Sequence, residues 1–139
     1  FALRTALSYQ EAAPFYPYKN VALTGQPIRE ALLPPSGFTK TYTKKDRPVI
    51  LIYGGSQGSQ VINEAIVKIL PELLTMYDVV HQTGVLNIEQ VKDITKQLLH
   101  DHPFKDRYFA DGFIDVALFY PKVDMVITRA GSSMFEMVL

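Results

Sequence analysis

The sequence predicts an α/β fold, a parallel sheet wound with helices on both faces, and three observations carry that expectation. Apolar runs alternate with stripes of helical period from Pro48 onward, the connections between them are short, and glycine-rich turns follow two of the apolar runs where a helix begins. The 139 residues are enough for one core but not for two full α/β domains.

The elements follow in order. Residues 1–20, with Pro14, Pro17 and several aromatics, read as a strand end and a connecting loop, and residues 21–24 as a short strand stopped by Gly25 and Pro27. Residues 34–48 hold three prolines, Gly37 and a Lys/Thr-rich tract, the composition of a linker. Residues 49–53 form a continuous apolar run, as expected of a strand buried on both faces. Then Val61, Ile62, Ala65, Ile66, Ile69, Leu70, Leu73 and Leu74 recur as a helical stripe, with Pro71 predicting a kink or a new start. A second strand fits residues 77–82. Asn87, with Gln90 three residues on, predicts a capping box for a helix whose inner face is Ile88, Val91, Ile94, Leu98 and Leu99. A third strand fits 107–109, a short helix 115–120, a fourth strand 124–128, and a last helix begins near Ser132. The loops after Tyr53, His81, Phe109 and Thr128 should then share one edge of the sheet, where such folds bind ligands.

Composition narrows the function classes. Fourteen basic and fourteen acidic residues cancel, so no field of one sign argues for nucleic acid or an anionic membrane. There is no cysteine, which removes disulfide scaffolds and Cys-ligated metals, and the apolar runs are too short to span a bilayer. The three histidines lack metal-ligand spacing; His81 reads as a structural histidine, His100 and His102 as solvated. The chain opens on Phe1 and stops at Leu139 inside an apolar helical pattern, which reads as a piece of a longer protein.

Three segments have the chemistry of an anion site. The turn Gly54-Gly55-Ser56-Gln57-Gly58 lets backbone N–H groups approach an anion at a helix start, although an empty strand-to-helix turn has the same form. The turn Arg129-Ala130-Gly131-Ser132-Ser133 repeats the arrangement, with plain serine capping as the alternative. Glu136 follows one turn later; a carboxylate there suits paired ribose hydroxyls or simply complements the helix dipole. Arg29, in Gly25-Gln26-Pro27-Ile28-Arg29, carries a planar fork suited to phosphate or a base carbonyl, and equally suits an open surface.

Taken together, GQPIR, VILIYGGSQGSQVIN, HQTG, GFID and VITRAGSSMFE, in this order, resemble the MurG-type N-acetylglucosaminyltransferases over nearly the whole chain. The resemblance implies the C-terminal, Rossmann-like half of a GT-B glycosyltransferase. Residues 1–33 would then end an N-terminal domain, 34–48 link, and 49–139 form an incomplete donor-binding domain. It implies an inverting hexosyltransferase that moves N-acetylglucosamine from UDP-N-acetylglucosamine to lipid I, giving lipid II, at the cytoplasmic face of the bacterial membrane. No cofactor or metal is implied. Nucleic acid is not a partner, and acceptor and membrane contacts fall to the other domain, where the catalytic residues are expected. In the donor site the resemblance implies contacts from Arg29 and from Gly55, Ser56 and Gln57. It also implies reading of the uracil edge by the backbone at Ile114, and diphosphate and ribose binding by Gly131, Ser132, Ser133, Met134 and Glu136. The sequence departs from the family at two points. Glu136 stands one residue closer to the RAG arginine, Arg129, than is usual, a shift of roughly 100° on a helix, and Val116 replaces a second Asp after FID. Two alternatives remain: a related UDP-sugar transferase with another lipid acceptor, and a non-catalytic donor-binding subunit working with a membrane partner. Arg129, where galactolipid synthases have Lys, favours the first reading over the former.

Overall fold

The computed structural model describes residues 3–28 and 46–131. Arg29, Ser132, Ser133, Met134 and Glu136, the expected last helix and nearly all of the expected linker lie outside the described residues.

Near the start, β1 (Thr5–Leu7) and β2 (Val21–Leu23) pair in parallel, Thr5 opposite Val21, with 3-10 turns at Gln10–Phe15 and Tyr18–Asn20 between them. The main sheet is built from β3 (Val49–Tyr53), β4 (Asp78–Gln82), β5 (Tyr108–Asp111) and β6 (Met125–Thr128). All are parallel, in the order β5-β4-β3-β6. Two helices connect them, α1 (Gln60–Met76) from β3 to β4 and α2 (Ile88–Leu98) from β4 to β5. The chain therefore steps outward from β3 to β5, then crosses back through residues 112–124 to lay β6 on the other side of β3.

Alternation along β3 explains its unbroken apolar run. Ile50 and Ile52 pack with Ile66, Leu70, Leu74, Val79 and Leu99 on the helical face. Val49 and Leu51 pack with Val80, Ile114, Val116 and Phe119 on the opposite face. Both faces are covered, so every position has to be apolar.

The helices depart from the sequence reading in instructive ways. The α1 helix runs through Pro71 as one element rather than restarting there. A proline inside a helix costs about 3 kcal/mol, but Leu70 and Leu74 beside it are fully buried, and each contributes roughly 1.5–3 kcal/mol. The buried stripe is Asn63, Ile66, Leu70 and Leu74, whereas Val61 and Ile69 face solvent. In α2 the buried positions are Val91 and Thr95, with Leu99 at the C-cap, while Ile94 and Leu98 are exposed. Thr95 can occupy the apolar face because its Oγ1 donates to the Val91 carbonyl at 2.8 Å. The capping box at Asn87 does not form. Asn87 is itself helical in backbone angle, and its amide donates backward to the Thr83 carbonyl at 3.1 Å.

The remaining differences lie at the edge of the sheet. The third strand begins at Tyr108 and continues to Asp111, because Arg107 closes a 3-10 turn and its guanidinium pairs with buried Asp78 at 2.8 Å and with Asp46 at 2.9 Å. Asp46 is held below its usual carboxylate range, chiefly by the Arg107 hydrogen bond. In place of a short helix, residues 115–122 form two 3-10 turns, Val116–Leu118 and Tyr120–Lys122. The Asp115 side chain caps the first by accepting from Ala117 N, and Pro121 has no N–H with which to extend an α-helical ladder.

Candidate functional site

Because β4 lies on one side of β3 and β6 on the other, the strand order reverses at β3, and the crevice at the carboxyl ends of β3 and β6 is the sheet's topological switch point. The two glycine-containing turns stand on either side of it. Tyr53, Gly55, Ser56, Thr128, Arg129, Ala130 and Gly131 line a cleft there of about 380 Å³. Tyr53 is opposite Thr128 in the ladder, so the turns that follow them are held side by side. The Arg129 side chain reaches over Gly55: a methyl added at Gly55 would lie 2.8 Å from its guanidinium. Ser56 and Gln57 are exposed at the tip of their turn, and Gly58 N donates to the Gly55 carbonyl at 2.9 Å. The cleft thus gathers one guanidinium, side-chain hydroxyls and the backbone of two glycine-containing turns, a set suited to a phosphorylated ligand.

The floor of this edge is a backbone lock. Gly58 and Gly84 have positive φ, 76° and 91°, and each lies against the other's loop. A side chain at Gly58 would strike the Thr83 carbonyl, and one at Gly84 the Gln57 carbonyl. Only glycine at both positions lets the two loops close on one another.

Two consecutive side chains of β4 tie this floor to both layers of the fold. His81 is fully buried on the helical face. Its Nε2 is 3.0 Å from Asn63 Oδ1 and its Nδ1 is 2.9 Å from the Tyr108 hydroxyl. The Asn63 amide donates to the Thr83 carbonyl at 2.9 Å, which turns its oxygen toward His81. His81 therefore carries its proton on Nε2 and accepts from Tyr108 on Nδ1. Burial lowers the His81 pKa from 6.5 to about 4 and raises that of Tyr108, so both are neutral around pH 7. The reading of His81 as structural agrees with this geometry. His100 is exposed beside Asp101, but His102 is half-buried and its Nδ1 accepts from Phe104 N.

Gln82, next in the strand and on the opposite face, is also fully buried. Its Nε2 donates to the Gly55 carbonyl at 2.7 Å and its Oε1 accepts from Ile114 N at 3.1 Å. Ile114 is thus brought to the same edge as the glycine turn, with its N–H engaged by Gln82. The sequence reading did not single out Asn63 or Gln82. The available signal was three polar residues in succession, His81-Gln82-Thr83, ending a strand buried on both faces, where each must find a hydrogen bond.

Among the described residues, no three His, Asp or Glu side chains cluster as a metal site would require. A separate groove of about 260 Å³ between α1 and α2, lined by Val67, Val91 and Ile94 together with Gln60, Lys68 and Gln90, lies on the helical face, away from the carboxyl edge of the sheet.

Comparison with known proteins agrees with this architecture. Residues 49–139 match the model of the glycosyltransferase family 28 C-terminal domain. A Bacillus cereus protein described as UDP-N-acetylglucosamine--N-acetylmuramyl-(pentapeptide) pyrophosphoryl-undecaprenol N-acetylglucosamine transferase 2 is 33% identical over 136 residues, covering 96% of this chain and 36% of that protein. The Francisella tularensis transferase of the same description, without the number, is 35% identical over 113 residues, covering 79% of this chain and 30% of that protein. The chain thus spans about a third of the length of these curated relatives. A crystal structure of Acinetobacter baumannii MurG shares the fold, with a TM-score of 0.57 at 24% identity over 96% of this chain and 35% of that one. On the match to its family model, the chain belongs to the glycosyltransferase family 28 C-terminal domain family.

Proposed function

We propose that this chain forms the donor half of a UDP-N-acetylglucosamine-dependent transferase that glycosylates lipid I to give lipid II. The observation that carries the reading is the cleft at the switch point, where the Gly55–Ser56 turn and the Arg129–Gly131 turn face each other across β3 and β6. The names of the relatives supply the donor and the lipid-linked acceptor. Residues 1–33 would close an N-terminal domain and 34–48 link it to the donor domain. The acceptor and the membrane surface, at its cytoplasmic side, would be met by the other domain. Among the described residues no helix is long and apolar enough to cross a membrane.

In this reading the acceptor hydroxyl attacks the anomeric carbon from the face opposite the diphosphate. The carbon–oxygen bond to the β-phosphate breaks, the configuration inverts, and the hydroxyl proton passes to a base outside this chain. This chain serves the leaving group. Arg29, Ser56 and Gln57 contact the nucleotide or sugar. Gly131, Ser132, Ser133 and Met134 receive the diphosphate, and Glu136 takes the ribose hydroxyls. With the Ile114 N–H given to Gln82, the uracil contact at Ile114 falls to its carbonyl, an acceptor matched to uracil N3–H.

Calorimetric titration of the full-length enzyme with UDP-N-acetylglucosamine tests the assignment. Arg29→Ala should weaken binding by about 2–5 kcal/mol, as when one partner of a buried charged pair is lost, and Ser56→Ala by roughly 1.5–3 kcal/mol. Wild-type affinity in Arg29→Ala would remove that residue from the site. Glu136→Gln should cost affinity for UDP but much less for 2′,3′-dideoxy-UDP. Equal losses for the two ligands would reduce Glu136 to a helix-dipole residue.

A further inference from the structure

We infer that Gln82 is a positioning residue that sets both base selectivity and donor affinity, because one buried amide holds the loop assigned to the base and the Gly55–Ser56 turn assigned to the nucleotide or sugar. The inference rests on the donor-site reading and goes beyond it, since Gln82 itself faces neither sugar nor phosphate. It is wholly buried at the last position of β4, with no access of its own to the cleft. Its two amide atoms are used in opposite senses. The NH₂ group fixes the Gly55 carbonyl at 2.7 Å, which orients the turn bearing Ser56. The carbonyl oxygen takes the Ile114 N–H at 3.1 Å.

That second bond has a chemical consequence. A peptide whose N–H is already engaged offers a base only its carbonyl, which is an acceptor. Uracil presents a donor at N3, whereas cytosine presents a lone pair there. Gln82 therefore makes the Ile114 peptide selective for uracil, and its other end ties this reading element to the Gly55–Ser56 turn. Freed from Gln82, the Ile114 N–H would be available to meet the cytosine lone pair.

Two substitutions separate the two functions. Gln82→Glu retains an oxygen to accept from Ile114 N but sets a carboxylate oxygen against the Gly55 carbonyl. Gln82→Met, of similar length, releases both loops. UDP and CDP affinities of the full-length enzyme are measured by calorimetry, with circular dichroism confirming that each variant is folded. UDP affinity should fall about tenfold in both variants, the size of one hydrogen bond to a buried peptide group. The preference for UDP over CDP should persist in Gln82→Glu and drop about tenfold in Gln82→Met. If Gln82→Met does not fold, Gln82→Glu decides: UDP affinity lowered with the preference intact supports the assignment, and unchanged UDP affinity overturns it. A folded Gln82→Met with the wild-type UDP:CDP ratio also overturns it, even if its melting temperature falls, since a merely structural role predicts that pattern. Wild-type protein that binds no uridine nucleotide would overturn the donor-site reading, and the role of Gln82 with it.

Discussion

His81 illustrates how much a single buried side chain can decide. It gives its Nε2 proton to Asn63 and receives one from Tyr108, and Asn63 in turn supports the Thr83 carbonyl beneath the glycine lock. A second proton on the ring would oblige the Tyr108 hydroxyl to turn away inside the core. Burial holds the folded-state pKa at about 4, against 6.5 in an open chain. The unfolded state therefore binds more protons between these values, and stability rises with pH across that window. The contribution is complete above pH 6.5 and is lost as pH falls toward 4. It amounts to about 3 kcal/mol by the usual conversion of pKa differences. Urea unfolding at pH 7.5 and pH 4.5 should show this loss, and His81→Gln, less stable at neutral pH, should flatten it. A wild-type curve with the same slope as the variant would mean that His81 stays charged in the folded state. Of this residue-scale chemistry the sequence disclosed only the half that periodicity carries: His81 reads as structural, but its partners come from elements 18 and 27 residues away, which no local pattern connects.

At the scale of elements, strands were more legible than helix faces. The 49–53 run is apolar throughout because both faces are covered, and its bounds match β3 to the residue. The faces of α1 and α2 were misjudged at Val61, Ile69, Ile94 and Leu98 because a polar residue, Asn63 or Thr95, occupies the buried line through hydrogen bonds that hydrophobicity does not register. The glycine turns are legible as strand-to-helix turns, but the lock between Gly58 and Gly84 is not, since it is a contact between two loops 26 residues apart that no local pattern connects. The lock makes a strong demand. Ala at either position combines an unfavourable positive φ with a collision against a backbone carbonyl, and should cost more than the ~1 kcal/mol of a simple Gly→Ala change at positive φ. Thermal unfolding of Gly58→Ala and Gly84→Ala should show melting temperatures lowered by several degrees, about 4–8 °C for each kcal/mol in a domain of this size. Melting unchanged in both would mean that the loops can separate without penalty.

For the molecule as a whole, the sheet order matters most. A strand order of β5-β4-β3-β6 creates one switch point, and the sequence places a glycine turn on each side of it. The parallel, one-edged arrangement was legible from the alternation of strand and helix patterns. The position of β6 beside β3 was not, because register between distant strands depends on both sheet faces being covered at once. Amide hydrogen exchange, followed by mass spectrometry on the full-length enzyme with and without UDP-N-acetylglucosamine, tests directly whether the donor sits at the switch point. A donor held there should slow exchange in the peptides covering residues 54–59 and 129–136, with little change at residues 64–68 and 92–96 along the groove between α1 and α2. Protection confined to that groove, or none at either glycine turn under saturating ligand, would contradict it.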